Sequence, residues 1–166
     1  MCIRDRPHLD YNLQRLGPTH PDIANDLQRI DRIVGELIGF FEERDVQVVL
    51  LSEYGITPVE QPIHLNRLFR ERGWLTIKEE FGLERLDCGN SRAFAVADHQ
   101  VAHVYLNDTS IENEVRGLLE HTDGVAAVWG QVEKQSKGID HSRAGDLVVT
   151  STENAWFTYY LSLIHI

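Results

Sequence analysis

An α/β fold with a mostly parallel central sheet is predicted by three features of the sequence. The run at residues 46–51 is short, β-branched and almost wholly apolar, which is typical of a strand buried on both faces. A long amphipathic stretch precedes it, and further strand-like and helix-like runs alternate after it. We therefore expect residues 46–51 to form a central parallel strand beneath helices.

The elements before this run begin with a segment that has no regular period. Residues 7–18 are polar and rich in turn formers, so no helix or strand is predicted there. A helix is predicted to start at residues 19–22 and to continue to about Arg44. Apolar residues at helical spacing support it: Ile23, Leu27, Ile30, Val34, Leu37, Ile38 and Phe41.

After the central run the sequence predicts a series of shorter elements. Two prolines place residues 55–62 in a loop, and Gly73 ends a short helix that begins near Ile63. A hairpin is predicted with its turn at Asp98 and His99. The remaining predictions are a strand at 74–77, a connection at 79–90, hairpin strands at 93–96 and 101–106, a helix at 111–121, strands at 125–129 and 146–150, a polar loop at 138–145 and a last apolar run at 156–160.

Composition excludes several kinds of partner. The formal net charge is -10, which argues against a nucleic-acid polymer or an anionic membrane surface. No apolar run approaches the roughly 20 residues of a membrane-spanning helix. Outside the first six residues Cys88 is the only cysteine, so neither a disulfide framework nor a cysteine-based zinc site is expected.

The two terminal hexapeptides are interpreted as sequencing-adapter scars. Residues 1–6 and 161–166 back-translate to reverse-complementary sequences that match the transposase end used in sequencing-library preparation. Such segments are excluded from fold reasoning. The authentic chain is therefore expected to be residues 7–160, truncated at both ends.

Two motifs carry a resemblance to a known family. Asp10, Gln14 and the Gly17–Pro18 pair precede the long helix, and Ser-Glu-Tyr-Gly-Ile at residues 52–56 follows the apolar run. In this order they resemble the nucleotide pyrophosphatase/phosphodiesterase family of the alkaline phosphatase superfamily. Residues 63–73 and 141–148 are similar to its later helix and Arg-x-Gly-Asp-Leu strand. The resemblance implies an alkaline-phosphatase-like three-layer sandwich, of which residues 7–160 form the C-terminal part of the catalytic domain.

The resemblance also implies a metal site. In the family two divalent metals, usually zinc, flank a Thr or Ser nucleophile and hold the phosphoryl group. Asp10 and Glu53 take carboxylate ligand positions, whereas Gln14 and Tyr54 stand where the family has histidines. His8 lies two residues before Asp10, a spacing that puts both on one side of a strand.

The identity of the metal stays open at this stage. Zinc prefers imidazole, while carboxylate, amide and phenol oxygens suit harder ions. A Mn²⁺, Mg²⁺ or Ca²⁺ site, a single metal, or no metal are all compatible with these residues.

A hydrolase of phosphodiester or pyrophosphate bonds in a small phosphorylated substrate is the function that the resemblance implies. In the family the nucleophile lies upstream of the position of Pro7 and a histidine ligand downstream of that of Tyr160, so the chain alone is expected to be inactive. The alternative is a non-catalytic relative that binds an anionic ligand or a protein partner. Weaker metal-site candidates are the pair His99 and His103, the dipeptide at residues 140–141, and His64.

Overall fold

The computed structural model describes residues 8–52 and 54–162, and of His8 only the backbone. The chain divides into two compact units, Met1–Pro58 and Val59–Ile166. Each unit is described by itself below.

The described residues of the first unit form two helices followed by a segment without regular secondary structure. Helix α1 spans His8–Leu16 and helix α2 spans Asp22–Glu42. Gly17 ends α1 in a left-handed conformation with φ of +84°, and its N–H donates to the carbonyl of Leu13. Asn12 Nδ2 donates to Asp26 Oδ2 at 2.6 Å, a contact that ties α1 to α2.

The predictions for this unit are partly wrong. Helix α2 confirms the helix predicted from residues 19–22 onward, but residues 7–18 contain helix α1 where no element was predicted. The glycine and prolines of this stretch stand at its ends, while residues 9–16 hold an apolar residue about once per turn.

The prediction of a central strand at residues 46–51 is also wrong for this structure. The segment has no regular secondary structure, and Val49, Leu50 and Leu51 are 77%, 70% and 79% exposed. A central strand of a sheet needs a hydrogen-bonded neighbour on each side. The described residues of the first unit contain no strand that could serve as one.

Residues 59–162, the described part of the second unit, form a mixed α/β unit of eight strands and three α-helices. In chain order the elements are β1 Gln61–Ile63, α3 Leu65–Glu71, β2 Ile77–Glu80, β3 Leu83–Leu86, β4 Ala93–Asp98, β5 Val101–Leu106, a 3₁₀ turn Thr109–Ile111, α4 Glu112–Glu120, β6 Val125–Trp129, α5 Gln131–Ser136, β7 Leu147–Ser151 and β8 Ala155–Phe157.

These strands form three separate groups. The largest is a four-stranded antiparallel sheet in the order β4-β5-β7-β6. Strands β2 and β3 form an antiparallel hairpin, and β1 pairs with β8 in parallel. Within the described residues parallel pairing is therefore confined to β1 and β8, and the mostly parallel sheet predicted from the sequence is not seen among them.

The core of the second unit lies on one face of the four-stranded sheet. Strand β5 alternates strictly, with Ala102, Val104 and Leu106 buried and the residues between them more exposed. Helices α3 and α4 add Phe69, Val115 and Leu119 to this face.

Most of the predicted elements of this unit are confirmed, with four exceptions. Strand β1 lies at Gln61–Ile63, where the end of a loop and the start of a helix were predicted. The run 74–77 enters a strand only at Ile77, the connection 79–90 contains most of the β2–β3 hairpin, and helix α5 was not predicted. The hairpin turn has Phe81 and Gly82 at φ of +53° and +75°. Gly82 is a usual residue for this turn, but an aromatic residue such as Phe81 rarely adopts a positive φ, so the pair was not recognised as a hairpin turn.

Candidate functional site

Asp10 lies in the first turn of α1 and not in a loop after a strand. The helix places Gln14 one turn further on the same face, where residues four apart are neighbours. Gln14 Nε2 donates to Asp10 Oδ1 at 2.9 Å. The helical backbone thus brings together two of the residues predicted for the site.

Tyr54, which lies near the C-terminal end of the first unit in the sequence, contacts the same carboxylate. Its hydroxyl donates to Asp10 Oδ1 at 2.8 Å, although the two residues are 44 positions apart. Ser52 Oγ donates to the carbonyl oxygen of Tyr54 at 3.1 Å, which shapes the local backbone. We call Asp10, Gln14 and Tyr54 the Asp10 cluster.

Two further predicted site residues cannot be placed in this cluster. Glu53 lies outside the described residues, so its predicted convergence with Asp10 stays a prediction. The backbone of His8 is part of helix α1 and not of a strand. The proximity of His8 to Asp10, predicted from strand spacing, stays a prediction.

The surface next to the Asp10 cluster is an open depression. It is lined by Asp10, Tyr11, Gln14 and Arg15. The guanidinium of Arg15 lies 5.6 Å from the centre of the Tyr11 ring and donates from Nη2 to Asn12 Oδ1 at 3.0 Å. The cluster is thus accessible to solvent and to a ligand.

The described side chains do not make a zinc site of the usual kind. Among them no group of three or more His, Cys, Asp or Glu residues comes close enough to hold a metal ion. In the Asp10 cluster Gln14 and Tyr54 direct hydrogens, not lone pairs, at the carboxylate. Zinc takes nitrogen, sulfur or carboxylate ligands in a tetrahedral arrangement, which this donor set does not supply.

The weaker histidine candidates have separate surroundings. His99 occupies the β4–β5 turn with φ of +55°, whereas His103 lies on β5 and its Nδ1 accepts from the N–H of Gly145 at 3.1 Å. His64 Nδ1 lies 2.6 Å from the buried Thr158 hydroxyl. His141 Nδ1 accepts from the N–H of Arg143 at 3.1 Å. Local hydrogen bonds within the protein explain the orientations of His103, His64 and His141.

The Arg-x-Gly-Asp-Leu segment holds the start of β7 close to β5. Asp146 Oδ2 accepts from the N–H of Leu106 at 2.7 Å, and a Cβ on Gly145 would stand 2.6 Å from the carbonyl oxygen of Val104. Lys134, which is only 4% exposed, donates to the Gly145 carbonyl at 2.6 Å. Sequence reasoning did not identify Lys134, because a lysine on a short helix normally indicates a solvated surface.

Charged pairs set the electrostatics of the second unit. Arg70 donates from both Nη atoms to Glu84 at 2.7 and 2.8 Å, and this hydrogen bonding lowers the pKa of the Glu84 carboxyl. Arg116 donates to Glu133 at 2.8 Å and lowers the pKa of that carboxyl in the same way. Both pairs join neighbouring elements of the fold.

Helices long and apolar enough to cross a membrane are not found in the described part of the chain.

Comparison with solved structures shows the fold. Phosphonoacetate hydrolase from Sinorhizobium meliloti 1021, in complex with phosphonoacetate, matches with a TM-score of 0.60 and 22% identity over 84% of this chain and 34% of that chain. Murine ectonucleotide pyrophosphatase/phosphodiesterase 5 matches with a TM-score of 0.57 and 18% identity over 89% of this chain and 36% of that one. The chain thus spans about a third of the length of each structure. The fold is α/β and alkaline-phosphatase-like, as predicted.

Sequence comparison gives the family. No curated protein matches the chain. The family model for type I phosphodiesterase/nucleotide pyrophosphatase matches residues 6–163, which include every member of the Asp10 cluster. The chain therefore belongs to the type I phosphodiesterase/nucleotide pyrophosphatase family, a family of phosphoester hydrolases that are generally metal-dependent.

Proposed function

We propose that this chain is part of a metal-dependent hydrolase that cleaves phosphodiester or pyrophosphate bonds in small phosphorylated substrates. The observation that carries the proposal is the family match over residues 6–163, which spans the cluster of oxygen-bearing side chains around Asp10. The acidic composition favours a small substrate over a nucleic-acid polymer.

Asp10 and Glu53 are the proposed carboxylate ligands of a divalent cation. A bound cation would neutralise the charge of a phosphoryl group during in-line displacement. Oxygen donors suit Mn²⁺ or Mg²⁺ better than zinc, and Asp10 Oδ2 is the oxygen to which neither Gln14 nor Tyr54 donates. We therefore propose Mn²⁺ or Mg²⁺ as the cofactor.

The chain by itself is proposed to be inactive. The family resemblance puts the nucleophile before Pro7 and a further histidine ligand after Tyr160. Activity is therefore expected only when these segments are present.

A hydrolysis assay with the full-length protein tests the proposal. Bis(p-nitrophenyl) phosphate and a dinucleoside pyrophosphate would be incubated with Mn²⁺, Mg²⁺, Zn²⁺ or EDTA. We expect turnover with Mn²⁺ or Mg²⁺ that EDTA abolishes and that the 166-residue chain alone lacks. Asp10→Asn should lower kcat/KM at least about a hundredfold, while Asp31→Asn on α2 should leave it unchanged. Absence of turnover with every ion would contradict the proposal.

A second candidate is a non-catalytic relative that binds an anionic ligand or a protein partner. The donation of Gln14 and Tyr54 to Asp10 favours it, because both occupy positions where the family has histidine ligands. In that case inorganic phosphate or AMP would raise the melting temperature of the full-length protein without being hydrolysed. A melting temperature that none of these anions raises would leave a protein as the partner, to be tested by the oligomeric state of the full-length protein.

A further inference from the structure

We infer that Gln14 and Tyr54 are hydrogen-bond donors that orient Asp10, and that the Asp10 cluster excludes zinc from this carboxylate. Both residues stand at positions where the family has metal-binding histidines, yet both give a hydrogen to the same oxygen of Asp10. The inference concerns binding and does not rest on the proposed hydrolysis.

The direction of the Tyr54 hydrogen bond follows from the chemistry of the two groups. A carboxylate has no hydrogen to give, so the phenol must be the donor at 2.8 Å. To bind a metal, the Tyr54 oxygen would have to lose this proton and turn a lone pair toward the ion. It would then face the Asp10 oxygen as a second negative charge.

The direction of the Gln14 hydrogen bond is set in the same way. If its amide were turned over, the amide oxygen would stand 2.9 Å from a carboxylate oxygen, with no hydrogen between them. The NH₂ group must therefore face Asp10. Because Gln14 lies one helical turn after Asp10, α1 itself maintains this contact.

A cation near Asp10 Oδ1 would meet two positively polarised hydrogens. Histidines at these positions would offer it two lone pairs instead. Asp10 Oδ2 is the oxygen to which neither donor gives a hydrogen. Carboxylate oxygens without histidine nitrogens are a poor ligand set for zinc but an ordinary one for Mg²⁺ or Mn²⁺, which keep several waters. The Asp10 cluster is therefore selective against zinc, and Tyr54 and Gln14 are positioning residues.

The experiment is a calorimetric titration of the 166-residue chain with Zn²⁺ and, separately, Mn²⁺, together with the ultraviolet signal of ionised tyrosine. The wild type, Asp10→Asn, Tyr54→Phe and the double variant Gln14→His/Tyr54→His are compared, with Tyr159→Phe, at an exposed tyrosine outside the lining of the depression, as the matched control. We expect zinc to produce no tyrosinate signal in the wild type. We also expect any zinc affinity to be the same in Asp10→Asn, Tyr54→Phe and Tyr159→Phe.

The double histidine variant should gain zinc affinity at least about tenfold, with a much smaller change for Mn²⁺. Circular dichroism establishes that each variant is folded. A zinc-dependent tyrosinate signal that is present in the wild type and absent in Tyr54→Phe would overturn the inference. Zinc affinity that falls in Asp10→Asn would overturn it as well. Failure of hydrolysis in the full-length protein is a separate result, because these titrations do not measure turnover.

Discussion

Asn66 and the backbone of Ala95 exchange two hydrogen bonds at the outer edge of the four-stranded sheet. Asn66 Nδ2 donates to the Ala95 carbonyl at 2.8 Å, and the Ala95 N–H donates to Asn66 Oδ1 at 2.7 Å. Strand β4 is the first strand in the order of this sheet, so its outer backbone groups have no neighbouring strand in the sheet. The buried amide of Asn66 satisfies a donor and an acceptor that would otherwise be buried without partners.

Replacing Asn66 should therefore destabilise the fold strongly. Asn66→Ala leaves both Ala95 groups without their partner, and we expect the free energy of unfolding to fall by about 2–4 kcal/mol in urea denaturation. Asn66→Asp should cost at least as much, because a carboxylate cannot donate to the Ala95 carbonyl. Asn113→Ala on the exposed side of α4 is the control and should be nearly neutral. Equal stability of Asn66→Ala and Asn113→Ala would contradict this account.

Gly145 should not tolerate a side chain. A Cβ there would lie 2.6 Å from the carbonyl oxygen and 2.8 Å from the nitrogen of Val104. Both are backbone atoms, so relief requires β5 and β7 to separate, and Gly145→Ala should lower the free energy of unfolding by at least about 2 kcal/mol. Gly117 in α4 has open space around it, and Gly117→Ala should instead raise stability by about 0.5–1 kcal/mol. Chemical denaturation of the two variants gives opposite signs if the close approach is the cause.

The ion pair between Arg70 and Glu84 should make stability depend on pH. Hydrogen bonding from Arg70 lowers the pKa of Glu84 in the folded state below its ordinary value of about 4.3. The pair therefore contributes fully above that value, and its contribution is lost as the pH falls through the lowered pKa. The difference in stability between the wild type and Glu84→Gln should shrink from about pH 5 downward. Glu114→Gln, at an exposed site on α4, should show no such trend.

The sequence predicted the second unit well because its strands and helices are short and strongly patterned. Ala102, Val104 and Leu106 alternate with more exposed residues and are buried as expected, and Gly73 ends α3 where a left-handed residue was predicted. Helix α5 was missed because it spans only Gln131–Ser136, which is less than two turns. Phe81 was missed because a hairpin turn usually carries Asn, Asp or Gly at that position.

The Asp10 cluster could be predicted only as a set of residues. The order of the motifs predicted that Asp10, Gln14 and Tyr54 belong to one site. The structure places Gln14 and Tyr54 within hydrogen-bond distance of Asp10. The backbone that does this is a helix, not a strand exit, because no local residue pattern distinguishes the first turn of α1 from a polar loop. The direction of the hydrogen bonds depends on side-chain chemistry at contact distance, which spacing alone does not reveal.

Residues 46–51 should make the isolated chain associate with itself. Val49 and Leu51 are 77% and 79% exposed in a segment without regular secondary structure, and no strand pairs with it in the described part of the chain. An exposed β-branched apolar run that pairs with no strand is a template for pairing with another chain. The double variant Val49→Lys/Leu51→Lys adds charge to the segment, and we expect it to reduce concentration-dependent light scattering at least about fivefold. Its melting temperature should stay unchanged, because neither side chain is buried.

The matched control is Val132→Lys on α5, which removes a side chain of similar exposure, 76%, from a helix that cannot pair as a strand. Scattering that falls equally in the control would assign association to general hydrophobicity, and scattering that persists in the double variant would show that another surface drives it.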